Sequence, residues 1–249
     1  MKVGVAIPTH NVLPYIETCL TTINSQTHPC HAYIVDDCSS DGAYEFLRAR
    51  PSWYRRLDQQ RARQGWPATL NRAVAAAISD GCDAIFTMNA DDFLRLDCIE
   101  QCVQALNGRD WVVTNAQQIG GDNAVQISKP GAVLNDFAVW PPLVNYALVR
   151  REVWEAVGGY SSDVTVPGSF GSAEDWEFWI KVFKAGYTNY AVVNEPTYYY
   201  RMRAGQLHEG RAAVHAETVA LIRAKHPDLP WADDSGIWPP RHRTTRRIA

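Results

Sequence analysis

The sequence predicts an α/β fold with a mostly parallel sheet flanked by helices, and three observations predict it. From Lys2 to Asp92, short apolar runs alternate with helical stretches, the order that a parallel sheet covered on both faces requires. Two of those runs end in paired carboxylates, Asp36/Asp37 and Asp91/Asp92. In such sheets ligands bind beyond the carboxyl ends of the strands, so both pairs project toward one edge. After Thr114 the texture changes, with Gly-Gly-Asp, Lys-Pro-Gly and Trp-Pro-Pro punctuating residues 120–142. That change marks an elaborated second half with an antiparallel edge.

Each element has a local reason. Lys2 to Ile7 is an apolar run closed by Pro8, a buried first strand. Thr9, His10 and Asn11 turn the chain, and Asn11 suits the N-cap of a helix to about Ser25, whose inward stripe is Ile16, Leu20 and Ile23. His31 to Val35 is a second strand. Gly42 and Ala43 lead into a short helix through Arg48, and Tyr54 to Leu57 form a brief third strand. Gln64 and Gly65 make a turn, and Pro67 fits the first turn of a helix to about Ser79. Leu70, Val74 and Ile78 line its buried side. Gly81 stops it before the central apolar run that ends in Asp91 and Asp92, and another helix covers Leu96 to Leu106.

In the second half, Trp111 to Thr114 and Tyr146 to Val149 read as strands and Arg151 to Val157 as a helix. Gly158-Gly159-Tyr160 is a turn, and residues 161–172 form an aperiodic loop of the kind that lies over a site. Glu174 to Lys184 is strongly helical. Tyr190 to Val193 and Tyr198 to Arg201 are two further strands, and Arg211 to Ala224 is a last amphipathic helix. The whole reads as one domain over 1–226, with halves of about 1–110 and 111–226. A Pro- and Arg-rich tail follows over 227–249, expected to be disordered or to touch an anionic membrane or a partner subunit peripherally.

Composition narrows the function. With 249 residues, 46% of them apolar, and a net charge of -3, the chain can bury one large core. It offers no default surface for nucleic acid. No apolar run reaches the length of a membrane span, and the opening strand is too short for a signal peptide. The six cysteines lack CxxC spacing and read as buried free thiols in a reducing, cytoplasmic compartment.

The acidic clusters are the candidate chemistry. Asp91 and Asp92 released from a buried strand make a hard-oxygen site for Mg²⁺ or Mn²⁺, ions commonly shared with phosphates; the same pair also suits an acidic turn before a helix. Glu174 and Asp175 open a helix directly after the 161–172 loop. Ser172 and Asp175 have capping-box spacing, while an ionised Asp175 within reach of a hydroxyl can serve as a base. Trp176 and Trp179 share a helix face, suited to stacking on a sugar or to packing a core.

These motifs together resemble a family 2 inverting glycosyltransferase of the GT-A, Rossmann-like fold. Val-Ala-Ile-Pro-Thr-His-Asn at 5–11 is similar to that family's opening strand and turn, and Ile-Val-Asp-Asp-Cys-Ser-Ser-Asp-Gly at 34–42 to its second-strand motif. Asn89-Ala90-Asp91-Asp92 resembles its Asp-x-Asp-Asp motif, and Gly171-Ser172-Ala173-Glu174-Asp175 the motif bearing its base. Leu148-Val149-Arg150-Arg151 with Gly158-Gly159-Tyr160 resembles the segment before the acceptor site. The resemblance implies a nucleotide-binding first half and an acceptor-side second half. It implies a donor site of Pro8, His10, Asp37 (at the nucleobase) and Asp91 (at the ribose), and a metal held by Asp92 with His208. It implies Asp175 as general base, with Glu174, Trp176, Trp179 and Arg150 on the acceptor side. Two departures stand out: Asn89 replaces an Asp, and Leu70 stands where an Arg is frequent, leaving Arg61, Arg63 or Arg72 for the nucleotide.

The implied reaction is transfer from a nucleoside-diphosphate sugar, UDP-sugar first, to the hydroxyl of a carbohydrate or other acceptor. Two rivals remain. A sugar nucleotidyltransferase requires a glycine-rich basic loop after the first strand, which Pro8-Thr9-His10-Asn11 does not supply. A non-catalytic nucleotide-sugar or carbohydrate-binding protein is suggested by the lost acid at Asn89.

Overall fold

The computed structural model describes residues 1–166, 173–203, 211–232 and 245–247. Its first half alternates as expected: β1 (Val3–Thr9), α1 (Leu13–Asn24), β2 (Cys30–Asp36), α2 (Ala43–Arg48), β3 (Arg56–Gln59), α3 (Trp66–Ser79) and β4 (Ala84–Thr87). β1 is buried at every residue and pairs in parallel with β2 on one side and β4 on the other, while β3 continues in parallel beyond β2. Gly4 lets α3 lie close against this sheet, since a Cβ there would meet the Ala77 Cβ at 2.8 Å.

The second half holds β5 (Phe93–Leu94), α4 (Cys98–Ala105), β6 (Trp111–Ile119), β7 (Ala124–Gln126), β8 (Ala147–Arg150) and α5 (Arg151–Val157). It continues with α6 (Glu174–Lys184), β9 (Tyr190–Arg201), α7 (Arg211–Lys225) and β10 (Thr245–Arg247). The main sheet runs β10-β7-β6-β8-β4-β1-β2-β3. β8 enters antiparallel between β4 and β6, and β7 extends the expected antiparallel edge. Apolar clusters fill both faces: Leu70, Ala73, Trp111, Trp154 and Trp179 on one, Ile16, Leu20, Phe86 and Ile99 on the other.

Four local expectations change. Asn11 does not cap α1; its backbone has φ 50, its side chain accepts from the Ser40 N–H at 2.8 Å, and Val12 takes the N-cap position. The two strands expected near 190 and 198 are one strand, β9. Its register against β6 shifts between Thr114 and Ala116, where a bulge accommodates Pro196, which has no N–H to give a ladder. In the tail, residues 245–247 pair antiparallel with β7. All six cysteines are free, but Cys38 is exposed rather than buried.

The helix α6 is anchored by an unusual interior charge. Glu177 is fully buried, with Lys225 Nζ at 3.2 Å, Lys181 Nζ at 3.5 Å and His226 Nε2 at 3.5 Å. Burial pushes its carboxyl up, but His226, Lys181 and Lys225 outweigh burial and hold it below the usual value. A depressed carboxyl contributes stability that is present above the unfolded pKa and lost as pH falls through the folded one. Glu177→Gln is therefore expected to lower unfolding free energy at pH 7 by about 3 kcal/mol, the low end for breaking a buried pair whose cations keep some water. Urea denaturation should show the difference shrinking below about pH 4, as the wild-type carboxyl also protonates. An equal deficit at both pH values would mean that charge is not the cause.

Candidate active site

Strand register brings the two acidic pairs to one edge. Thr9 pairs with Asp36 across β1 and β2, and Ala6 with Thr87 across β1 and β4. The chain beyond β4 therefore emerges beside the end of β1, across that strand from Asp36 and Asp37. β5 then pairs with β9, Phe93 opposite Tyr199, which carries the end of β9 over the acid motif.

Asp92 is completely buried. Its Oδ2 accepts from the Tyr198 hydroxyl at 2.5 Å and from Asn89 Nδ2 at 3.2 Å, and its Oδ1 from the Arg201 N–H at 2.8 Å. Burial and the charge of Asp91 push this carboxyl up to about 8, against the pull of those donors. Asp91 is less enclosed, its side chain 12% exposed, and its Oδ2 accepts from Arg203 Nε at 2.8 Å. Its Oδ1 takes no hydrogen bond from the described residues. Among the described residues no group of three or more His, Cys, Asp or Glu side chains is placed to hold a metal. The two carboxylates suffice for Mg²⁺ or Mn²⁺, which keep waters and take phosphate oxygens for the remaining positions. The pair fits such an ion, because a dication would relieve both the crowding of like charges and the raised Asp92.

Two rings join this motif to α6. Trp66 at the start of α3 donates its indole N–H to Asn89 Oδ1 at 3.0 Å, and its ring meets Tyr160 edge-on at 5.0 Å. The Tyr160 hydroxyl donates to Asn145 Oδ1 at 2.9 Å, and its own pKa is raised by burial and then by the charge of Asp175. Asp175 is half-buried in the first turn of α6, and its Oδ1 accepts the Trp176 N–H at 2.9 Å. The N-cap is Ala173, without a side-chain cap, and Ser172 lies outside the described residues.

Residues 4–160 match the model of glycosyl transferase family 2. The chain belongs to that family. A curated relative, the poly(ribitol-phosphate) beta-N-acetylglucosaminyltransferase TarS of Staphylococcus aureus, is 23% identical over 227 residues, covering 87% of this chain and 38% of TarS. The succinoglycan biosynthesis protein ExoA of Rhizobium meliloti is 29% identical over 202 residues, covering 74% of this chain and 58% of ExoA. The chain thus spans well under two thirds of the curated relatives it matches. Crystal structures share the fold: S. aureus TarS 1-349 with UDP-GlcNAc at TM-score 0.72 and 17% identity, over 94% of this chain and 68% of that one. The mannosyltransferase PcManGT of Pyrobaculum calidifontis, in complex with GDP-Man and Mn²⁺, gives 0.67 and 21%, over 93% and 65%. The fold is therefore GT-A, as the family predicts.

Within this glycosyltransferase fold the expected site residues take a range of positions. Arg150 is at the opposite sheet edge, paired with Ala84 and donating to the Arg109 and Leu106 carbonyls at 2.7 and 3.3 Å, because β8 runs antiparallel to β4. Trp176 and Trp179, each 1% exposed, are core and not a sugar platform; Trp176 donates to the Phe137 carbonyl and Trp179 packs on Trp111. Glu174 is also buried, accepting from the Thr165 hydroxyl at 3.2 Å. Asp92, expected at the metal, is fully buried, its oxygens accepting from Tyr198, Asn89 and the Arg201 N–H. Asp37 is 3% exposed and spends its oxygens on the Gln64 and Gly65 N–H groups and Gln60 Nε2, at 2.7, 2.9 and 3.0 Å. It thereby shapes the 60–65 loop. Pro8 is buried within β1, and His10 donates from Nδ1 to the Asp37 carbonyl at 2.8 Å. His208 lies outside the described residues. Leu70 is core, and Arg72 faces Asp58 at 3.5 Å, which leaves Arg61 and Arg63 beside the loop.

Sequence reasoning missed Asn71, Trp66, Tyr198, Arg201 and Arg203. Asn71 clamps the glycine turn: its Nδ2 donates to the Tyr160 carbonyl at 2.8 Å and its Oδ1 accepts the Tyr160 N–H at 2.9 Å. The fit leaves no room at Gly159, where φ is +76 and a Cβ would stand 2.5 Å from Asn71 Oδ1, whereas Gly158, φ +71, has nothing within 4 Å. Both alanine variants incur the left-handed penalty, but only Gly159→Ala also breaks the clamp. We expect it to cost about 1–2 kcal/mol more than Gly158→Ala, one buried hydrogen-bonded contact. Thermal unfolding of the two variants measures the difference, and equal losses would remove the clamp from the account.

Proposed function

We propose that this protein transfers a sugar from a nucleoside-diphosphate sugar, a UDP-sugar before a GDP-sugar, to an acceptor hydroxyl with inversion at the anomeric carbon. The observation that carries this is the continuity from Asp91 and Asp92 through Asn89, Trp66 and Tyr160 to Asp175 at a single sheet edge. TarS was solved with UDP-GlcNAc and PcManGT with GDP-Man and Mn²⁺; with those relatives, a diphosphate donor is the natural occupant of the mouth beside Asp91.

Asp91 is the residue assigned to hold Mn²⁺ or Mg²⁺, because its Oδ1 takes no hydrogen bond from the described residues, and Asp92 braces the motif through Tyr198, Asn89 and the Arg201 N–H. Bound there, such an ion would neutralise the leaving diphosphate. Asp175 takes the proton of the acceptor hydroxyl as its oxygen bonds to the anomeric carbon and the carbon–diphosphate bond breaks. One displacement suffices, and no covalent sugar–protein species forms. The acceptor is a carbohydrate or other hydroxyl compound reaching the Tyr160 side of the mouth. No helix among the described residues is long and apolar enough to cross a membrane. Peripheral work at the inner face of a membrane, with the basic tail as contact, is part of the proposal.

Two substitutions test it. Asp91→Asn should abolish the Mn²⁺-dependent part of nucleoside-diphosphate binding, measured by titration with UDP and GDP in Mn²⁺ and in EDTA; unchanged metal dependence would remove the metal site. Asp175→Asn should leave folding and donor affinity near wild type while kcat for transfer falls by about 10²–10⁴-fold, the usual scale for a general base. A near-normal kcat at saturating donor and acceptor would sink the assignment of Asp175.

A further inference from the structure

β9 delivers two arginines onto the acid motif, and they do different things. Arg201 donates its backbone N–H to Asp92 and its Nε to the Asp91 carbonyl at 2.9 Å, so it frames the turn. Arg203 donates to the Asp91 carboxylate itself, with a side chain still 22% exposed. Both guanidiniums lie over the Tyr15 ring on α1, at 5.1 and 5.2 Å from its centroid. Tyr15 thus offers Arg203 a seat that does not depend on Asp91.

We propose that Arg203 is a resident counter-cation of the metal site. It neutralises Asp91 while the donor is absent and moves from that carboxylate to the donor's diphosphate when a dication takes its place. The proposal rests on the diphosphate-donor reading above. Its logic is electrostatic: a guanidinium and a dication repel strongly when both sit against one carboxylate. A guanidinium also matches phosphate oxygens as well as it matches carboxylate. With Arg203 in place, Mn²⁺ alone must displace an ion pair to bind. A nucleoside diphosphate gives Arg203 a new partner and so makes room for the ion. Metal and nucleotide then bind with positive, reciprocal coupling.

The test reads two affinities that should move in opposite directions. Mn²⁺ alone is titrated into the protein by electron paramagnetic resonance of the free ion. UDP or GDP, whichever the wild-type protein binds, is titrated in EDTA by calorimetry. Arg203→Gln should tighten Mn²⁺ alone by about three- to tenfold and weaken the nucleotide in EDTA by about three- to tenfold, the range of a partly screened charge pair. Arg203→Lys should keep Mn²⁺ affinity near wild type and lose part of the nucleotide affinity, because the charge remains and the fork does not. A merely structural Arg203 would weaken both ligands together, and that result, or no change in either, overturns the proposal. If Arg203→Gln fails to fold, Arg203→Lys decides through nucleotide binding that falls while Mn²⁺ binding holds. Failure here is separable from failure of the function itself. Asp91→Asn abolishing metal dependence while Arg203→Gln moves nothing would reject only the counter-cation.

Discussion

Asp92 is buried completely, and a buried carboxylate persists only where donors replace the water it has lost. Those donors come from two parts of the chain: Asn89 within the same turn, and Tyr198 and the Arg201 N–H from distant β9. Meeting that demand requires β9 to reach the C-terminal edge of β4, and pairing with β5 and β6 is what takes it there. The bulge in β9 follows from the same demand, since the strand must keep register with β6 on either side of Pro196. The elaborated second half is thus tied to the first by the solvation of one carboxylate.

Charge is economised around that carboxylate. An Asp at position 89 would add another acid beside a carboxyl that burial and Asp91 already push up. Asn89 instead gives Asp92 a donor and takes the Trp66 indole N–H with its oxygen. The departure from the family motif therefore strengthens the frame while leaving Asp91 as the carboxylate that faces outward. An apparent loss in the sequence is a redistribution of roles in the structure.

Much of the fold was legible because its signals are local. Apolar runs, glycine stops and paired carboxylates gave the parallel half nearly strand by strand. The site was legible less evenly. Asp36/Asp37 and Asp91/Asp92 followed from topology alone, yet which carboxylate faces solvent depends on Tyr198 and Arg201, more than a hundred residues away in sequence. Arg150 lay in a matching motif, but its side of the sheet is decided by the antiparallel entry of β8, which no local pattern announces. Trp176 and Trp179 posed a true ambiguity, since helical spacing is the same for a sugar platform and a core stripe. Packing against Trp111 and the Phe137 carbonyl resolved it. Arg203 had a signal, two arginines spaced two apart at a strand end, but nothing in the sequence says what that strand end overlies.

Burying the two tryptophans suits the proposed role of Asp175. A base acts efficiently only if it is held within a fraction of an ångström of its working position, and α6 is held from several directions. Trp176 and Trp179 fix its inner face, and Glu177 gathers Lys181, Lys225 and His226 on another. Asn71 fixes the Tyr160 turn that stands beside its first residues. Asp175 is the half-buried acidic residue at the end of this otherwise immobilised helix, and its neighbours Glu174 and Glu177 are sealed inside. Of the three acids on α6, only Asp175 combines a rigid mount with access to solvent. That combination, more than its match to a motif, is the physical reason to assign it the acceptor's proton.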